Sequence, residues 1–293
     1  LKFWKNIMKN RVAIVGFGNR ARHYYNELRR SEHFELAAIF DGVQNNEIYG
    51  RIPFYDNIND LLDSVQIDAL IVTDTHKYLN LIPKCLNFIK FILLDPWLCK
   101  SGEIRELKYC FKSQNIGAYV AFIDRFNPII ASIKKELAKE KDIFSINIAR
   151  GFNKGVKLQL EILQNIDVAR FITGSEIIFS NKVSIQNDDK RSETDSLFQL
   201  KFKNQTLASI HNSKRFRAER FTIEFAANGG VYFGDMLGLK LNKYTLDGQQ
   251  NLKVYGDVSP IKALLNEFYQ ACCGVKSDLS TLEDALKAQE VCE

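Results

Sequence analysis

The chain contains no CxxC pair and no cysteine spacing of the kind that holds zinc. Its six cysteines, Cys85, Cys99, Cys110, Cys272, Cys273 and Cys292, stand apart or side by side. No metal site is therefore expected, and the thiols read as free and buried, as suits a reducing cytoplasm. A long basic run is missing too. The net charge of +5 is spread over 293 residues, and the densest cluster, SKRFRAER from Ser213 to Arg220, is one patch between expected strands, so no nucleic-acid surface is expected. The opening LKFWKNIMKN is too short and too charged for a membrane span. It reads as an extension ahead of a start at Met8, and no membrane partner is expected. The chain shows neither an internal repeat nor a low-complexity linker.

What the chain does have is a hydrophobic content of 46% over 293 residues, more than one compact core usually holds, which predicts two domains. Over the first part, short apolar runs alternate with helical periodicity, the pattern of a parallel sheet with crossover helices. RVAIVG, FELAAIFD, DALIVTD, FILLD and AYVAFI read as strands, with INDLLDSV and GEIRELKYCFKSQ as helices between them. This doubly wound α/β domain is expected to span residues 1–123, with 1–8 outside the fold. The second domain, 124–293, begins with helical patterns at NPIIASIKKELAKEK and LQLEILQNIDVARFIT. Long alternating segments come next (SLFQLKFKNQTLASIHNS, ERFTIEFAANGGVYFGD, LKLNKYTLDGQQNLKVYG), joined at Asn/Gly and Asp/Gly turns, and they predict an open, mainly antiparallel sheet with helices on one face. Two helices, IKALLNEFYQACC and TLEDALKAQEVC, close the chain.

The chemistry begins at GFGNRA, which fits the GxGxxG/A pattern. Gly16 allows the tight turn after the strand, Gly18 lets the backbone approach a pyrophosphate, and Ala21 lets the helix pack on the strand, with Asn19 and Arg20 completing the loop. Phosphates would sit on the helix N-terminus, where N–H groups and the macrodipole favour negative charge. Asp41 ends the next strand at the place of a ribose-binding acid. A carboxylate there accepts from ribose hydroxyls and repels a 2′-phosphate, and the adjoining GVQNN has no arginine, so NAD is expected over NADP. Thr73, Asp95 and Pro96, at later strand ends, are also expected at the cofactor.

From these residues, with YDNINDLLDSVQIDALIVTDT, DRFNP, NIDVARFITG and the closing FYQACCGVKSDLSTLEDALKAQEV, the chain resembles the Gfo/Idh/MocA oxidoreductases. The resemblance implies a Rossmann domain joined to an α/β domain with an open sheet, assembly into homodimers or tetramers through that sheet, and NAD(P)-dependent redox chemistry on sugars, cyclitols or sugar nucleotides. It also implies a Glu-Lys-Pro after the fourth strand, and here Asp95, Pro96 and Trp97 stand in its place, with Pro96 at the lysine, or Asp95 if proline is matched to proline, and no ammonium either way. The implied Asp-x-x-x-His helix pair falls on Leu160 and Gln164, neither of which titrates near neutral pH.

Substitutes for the missing groups are His76 and Tyr78 on the loop after the third strand, Asp124 after the fifth, Gln164, and Lys157, whose simpler reading is an exposed i, i+4 pair with Glu161. Lys100 is expected to start a helix and face solvent. Arg125 is expected to form an ion pair, and His211 is expected either on the sheet face that lines the cleft or at the surface. Two functions fit these residues: an NAD-dependent oxidoreductase of a sugar-like small molecule with rerouted proton transfer, or a non-catalytic NAD-binding sensor, scaffold or partner subunit.

Overall fold

The computed structural model describes residues 9–42, 52–97, 99–152, 157–187, 192–256 and 258–293. The chain divides into two compact units, one holding the described residues up to Ala121 with Ile261–Leu286, the other Phe122–Pro260 with Lys287–Glu293.

In the first unit the apolar runs form β1 (Asn10–Val15), β2 (Phe34–Phe40), β3 (Phe54–Tyr55), β4 (Ala69–Val72), β5 (Phe91–Leu94) and β6 (Gly117–Val120). The helices between them are α1 (Asn19–Leu28), α2 (Ile58–Ser64), the short α3 (Thr75–Tyr78) and α4 (Ile82–Cys85), and α5 (Ser101–Ser113). The six strands are parallel and lie in the order β3-β2-β1-β4-β5-β6. Val12, Ala13, Ile14, Ile71 and Ile92 are fully buried, as a parallel sheet covered on both faces requires. β1 and β4 pair directly, Val15 against Val72. The chain leaves one towards β2 and the other towards β5, which makes this a switch point where doubly wound sheets bind ligands.

In the second unit, α6 (Pro128–Leu137) starts at Asn127, whose side chain accepts from the Ile129 N–H, with Pro128 in the first turn. β7 (Ile143–Gly151) comes next, then α7 (Leu158–Thr173), which Gly174 ends at a left-handed φ of 58°. The remaining strands are β8 (Ile177–Gln186), β9 (Glu193–Phe202), β10 (Leu207–Ser213), β11 (Arg220–Ala227), β12 (Gly230–Asp235), β13 (Lys240–Thr245) and β14 (Gly248–Leu252). Their order is β14-β13-β12-β11-β7-β10-β9-β8, antiparallel except for β7 against β10. The alternation is plain in β9, where Phe198, Leu200 and Phe202 are buried while Gln199 is exposed. Among the described strands, β7, β8 and the two-residue β3 fall outside the segments that the sequence marks as strands, and β7 comes directly after a helical pattern.

The C-terminal segment departs from the expected domain division. α8 (Pro260–Cys272) belongs with the first unit, because Phe268 stacks on Phe34 at 5.6 Å and Tyr269 on His33 at 4.1 Å. β15 (Ser280–Thr281) then pairs antiparallel with β6, Ser280 against Val120, and leads into α9 (Leu282–Cys292). Sequence periodicity gives the helices but not the sheet they return to.

Candidate functional site

The turn from β1 into α1 carries both glycines of the motif. Gly16 adopts φ 89°, and a Cβ there would stand 3.0 Å from Tyr78 Cε2, so only glycine suits the position. Its N–H donates to the Phe40 carbonyl at 2.8 Å, and its own carbonyl accepts from the Thr73 hydroxyl at 2.9 Å. Gly18 is exposed and a Cβ on it would meet nothing within 4 Å. It is the N-cap of α1, and no side chain caps that helix. Ala21 is fully buried, packing helix on sheet. Such a helix start, with no capping side chain and open space beside Gly18, fits a pyrophosphate.

One residue beyond β2, Asp41 is held from three sides. Its Oδ2 accepts from the Phe17 N–H at 2.9 Å, and its Oδ1 accepts from the Tyr78 hydroxyl and from Lys77 Nζ at 3.0 Å. Burial works to raise the Asp41 carboxyl, but the hydrogen bonds from Tyr78, Lys77 and Phe17 outweigh it and hold the group below its ordinary value. Lys77 is in place because Asp74, the N-cap of α3, accepts from the Lys77 N–H at 3.2 Å. Tyr78 is buried, and burial together with Asp41 raises its hydroxyl. Its proton is thus donated to Asp41, a different role from the substrate proton donor suggested by its loop position. His76, on the same turn, is exposed.

At the end of β5, Asp95 is buried, accepting from the Tyr24 hydroxyl at 3.2 Å, while its other oxygen forms an ion pair with Arg20 Nη1 at 3.4 Å without a directed hydrogen bond. Burial pushes the Asp95 carboxyl up to about 7, against the pull of Arg20 and Tyr24. The Asp95 carbonyl accepts from the buried Thr75 hydroxyl at 2.7 Å, which joins the ends of β4 and β5. Pro96 and Trp97 are buried, and the Trp97 indole N–H has no hydrogen-bond partner among the described residues. Lys100 is exposed just before α5, as expected.

The second unit carries its own polar cluster. Arg150 on β7 bridges two carboxylates, Asp124 at 2.5 Å and Glu161 at 2.9 Å, and its guanidinium lies over the Phe221 ring at 4.0 Å. Gln164, buried one turn along α7, donates to Glu161 at 3.2 Å, and its Oε1 has no partner among the described residues. Glu161 is therefore bound to Arg150 in a half-buried network, which corrects the expected surface pair with Lys157; Lys157 is exposed at the N-cap of α7. Arg125 makes the ion pair expected of it, a buried bidentate contact with Asp167 at 2.6 Å for each bond. His211 lies on the face opposite Ala208, Ile210 and Asn212 of β10, edge-on to Phe216 and 3.9 Å from Asp195.

Sequence reasoning missed Lys77, Tyr24 and Arg150 as site residues. Lys77 sits beside His76 and Tyr78, and its N–H spacing to Asp74 is a capping signal; Arg150 lies on the strand that periodicity passed over. All six cysteines are free, and burial pushes Cys85 to about 11 and Cys272 to about 12, which keeps both protonated. Among the described residues no group of His, Cys, Asp and Glu is arranged to hold a metal ion, and no helix is long and apolar enough to cross a membrane.

No family model matches the chain, and no curated protein matches it in sequence. Its fold, however, is that of several solved dehydrogenases and oxidoreductases. It is similar to UDP-N-acetylglucosamine 3-dehydrogenase GnnA from Acidithiobacillus ferrooxidans, with a TM-score of 0.84, 14% identity, and 97% of this chain and 95% of that one covered. An oxidoreductase from Agrobacterium radiobacter in complex with NAD+, L-tartaric acid and magnesium gives a TM-score of 0.82, 14% identity, and coverage of 97% and 94%. An aldose-aldose oxidoreductase from Caulobacter crescentus, complexed with glycerol, gives 0.82 and 16% identity, with 97% and 95% covered.

Proposed function

We propose that the chain is an NAD(H)-dependent oxidoreductase acting on a sugar-like alcohol or ketone. The observation that carries this reading is the open, uncapped turn at Gly16–Gly18, held by Thr73 and followed at the next strand end by an ionised Asp41. When bound, the nicotinamide supplies hydride exchange. The chain's own part is to hold pyrophosphate at the start of α1 and a ribose hydroxyl at Asp41.

For the substrate, the acceptor-rich cluster in the second unit is the candidate. Asp124, Glu161 and Gln164 Oε1 present oxygens to hydroxyl donors, and Arg150 fixes the two carboxylates. Glu161, adjacent to Leu160 and bonded to Gln164, is the group we assign to accept the alcohol proton. With proline at position 96, no cation is supplied there to a developing alkoxide. General acid–base help is worth about 100- to 10,000-fold, so slow turnover of simple sugars is part of the reading.

The test is whether purified protein carries or takes up a dinucleotide, and whether its redox state changes with a panel of polyols, sugars and sugar nucleotides. Binding without any redox change supports the non-catalytic sensor or scaffold instead. Glu161→Gln should lower turnover by about 100-fold or more while leaving dinucleotide affinity unchanged; equal turnover by the variant contradicts the assignment of Glu161.

A further inference from the structure

Asp41 is not a bare ribose acid. A carboxylate has about four lone-pair sites, and three contacts already fall on this one: the Tyr78 hydroxyl and Lys77 Nζ on Oδ1, and the Phe17 N–H on Oδ2. What remains suits one donor better than the two hydroxyls of an unphosphorylated ribose. The charge of Asp41 is also offset by the ammonium at 3.0 Å. Hydrogen bonds that Lys77 donates to Tyr78 and Asp41 outweigh burial and raise Lys77, while Asp41 is lowered, so both stay charged through the neutral range. The cation is accessible: the Lys77 side chain is 46% exposed, against 17% for Asp41.

An unpaired acid at the end of β2 excludes a 2′-phosphate by repulsion, and a nearby cation is how such sites admit one. In this chain the cation comes from α3, after β4, rather than from the residues immediately after Asp41. We propose that Lys77 sets the selectivity of the site at the ribose 2′ position, offsetting Asp41 so that NADP(H) is accepted beside the preferred NAD(H). Tyr78 is the positioning residue: buried against Phe40 at 5.5 Å, it holds the carboxylate where Lys77 reaches it. The inference rests on reading this as a dinucleotide site.

Calorimetric titration of NAD+ and NADP+ onto the full chain, its Lys77→Ala variant and its Lys77→Gln variant tests it, with thermal unfolding as the check on folding. In the unaltered protein the two dissociation constants should lie within about tenfold of each other. Either variant should weaken NADP+ by about tenfold or more and leave NAD+ within about threefold. The proposal is overturned if the unaltered protein binds NAD+ about 100-fold or more tighter than NADP+, or if the variants weaken both equally; the oxidoreductase reading survives either result. If neither dinucleotide binds, both fall together.

Discussion

The Thr73 hydroxyl donates to the Gly16 carbonyl at 2.9 Å, so the end of β4 holds the glycine turn from the side. The two glycines of that turn then do different work. Gly16 sits at φ 89° against Tyr78, whereas Gly18, at φ −86°, has open space where a side chain would go. Gly18→Val should leave the melting temperature nearly unchanged and abolish dinucleotide binding. Gly16→Ala should lower stability by about 1 kcal/mol or more, through its positive φ and its contact with Tyr78. Thermal unfolding and calorimetry on the two variants separate the roles.

The buried Asp95 makes stability depend on pH. Its carboxyl rises from an ordinary 3.8 to about 7 in the folded chain, so between those values the folded state keeps a proton that the unfolded chain releases. Stability from this group is therefore fully present below about pH 4 and falls as pH rises to about 7, by about 1.4 kcal/mol per unit and about 4 in all. Asp95→Asn should flatten that slope. Urea unfolding of both proteins at pH 5 and pH 8 measures it, and equal slopes contradict the assignment.

Arg125 and Asp167 form a buried bidentate pair, with the guanidinium also 4.7 Å from the Phe171 ring. Arg125→Ala strands a buried carboxylate and should cost about 3–5 kcal/mol. Arg125→Lys should recover only part of this, because an ammonium cannot make both parallel bonds. Denaturant unfolding gives the values.

On the edge strand β8, Ile178, Phe179, Val183 and Ile185 are exposed. An exposed apolar strand of this kind calls for a partner, and we expect the chain to form a homo-oligomer through this sheet. Sedimentation at micromolar concentration should show a species heavier than 33.7 kDa, and Val183→Asp should reduce it. A single species at the chain mass contradicts the expectation.

The parallel sheet and the glycine turn were legible in sequence because each is a local signal, a short apolar run with glycines after it at fixed offsets. The antiparallel hairpins were legible for the same reason, through alternation and their Asn/Gly and Asp/Gly turns. What stayed hidden depends on distant pairing. Phe268 reads as one more apolar position on a helix until it stacks on Phe34. Lys77 reads as a solvated lysine until α3 swings it to Asp41, 36 residues back along the chain. Glu161 looked like half of a surface pair because its true partner, Arg150, lies on β7, the strand that comes directly after a helical pattern.

The most direct test of the oxidoreductase reading is a single spectroscopic experiment on the purified chain. NAD+ is added, bound dinucleotide is confirmed by equilibrium titration, and nicotinamide absorbance is monitored as polyols, sugars and sugar nucleotides are supplied in turn. The expected result is saturable binding that Gly18→Val removes, with reduction of the nicotinamide by at least one hydroxyl-rich substrate. A chain that binds no dinucleotide under these conditions contradicts the oxidoreductase reading at its root.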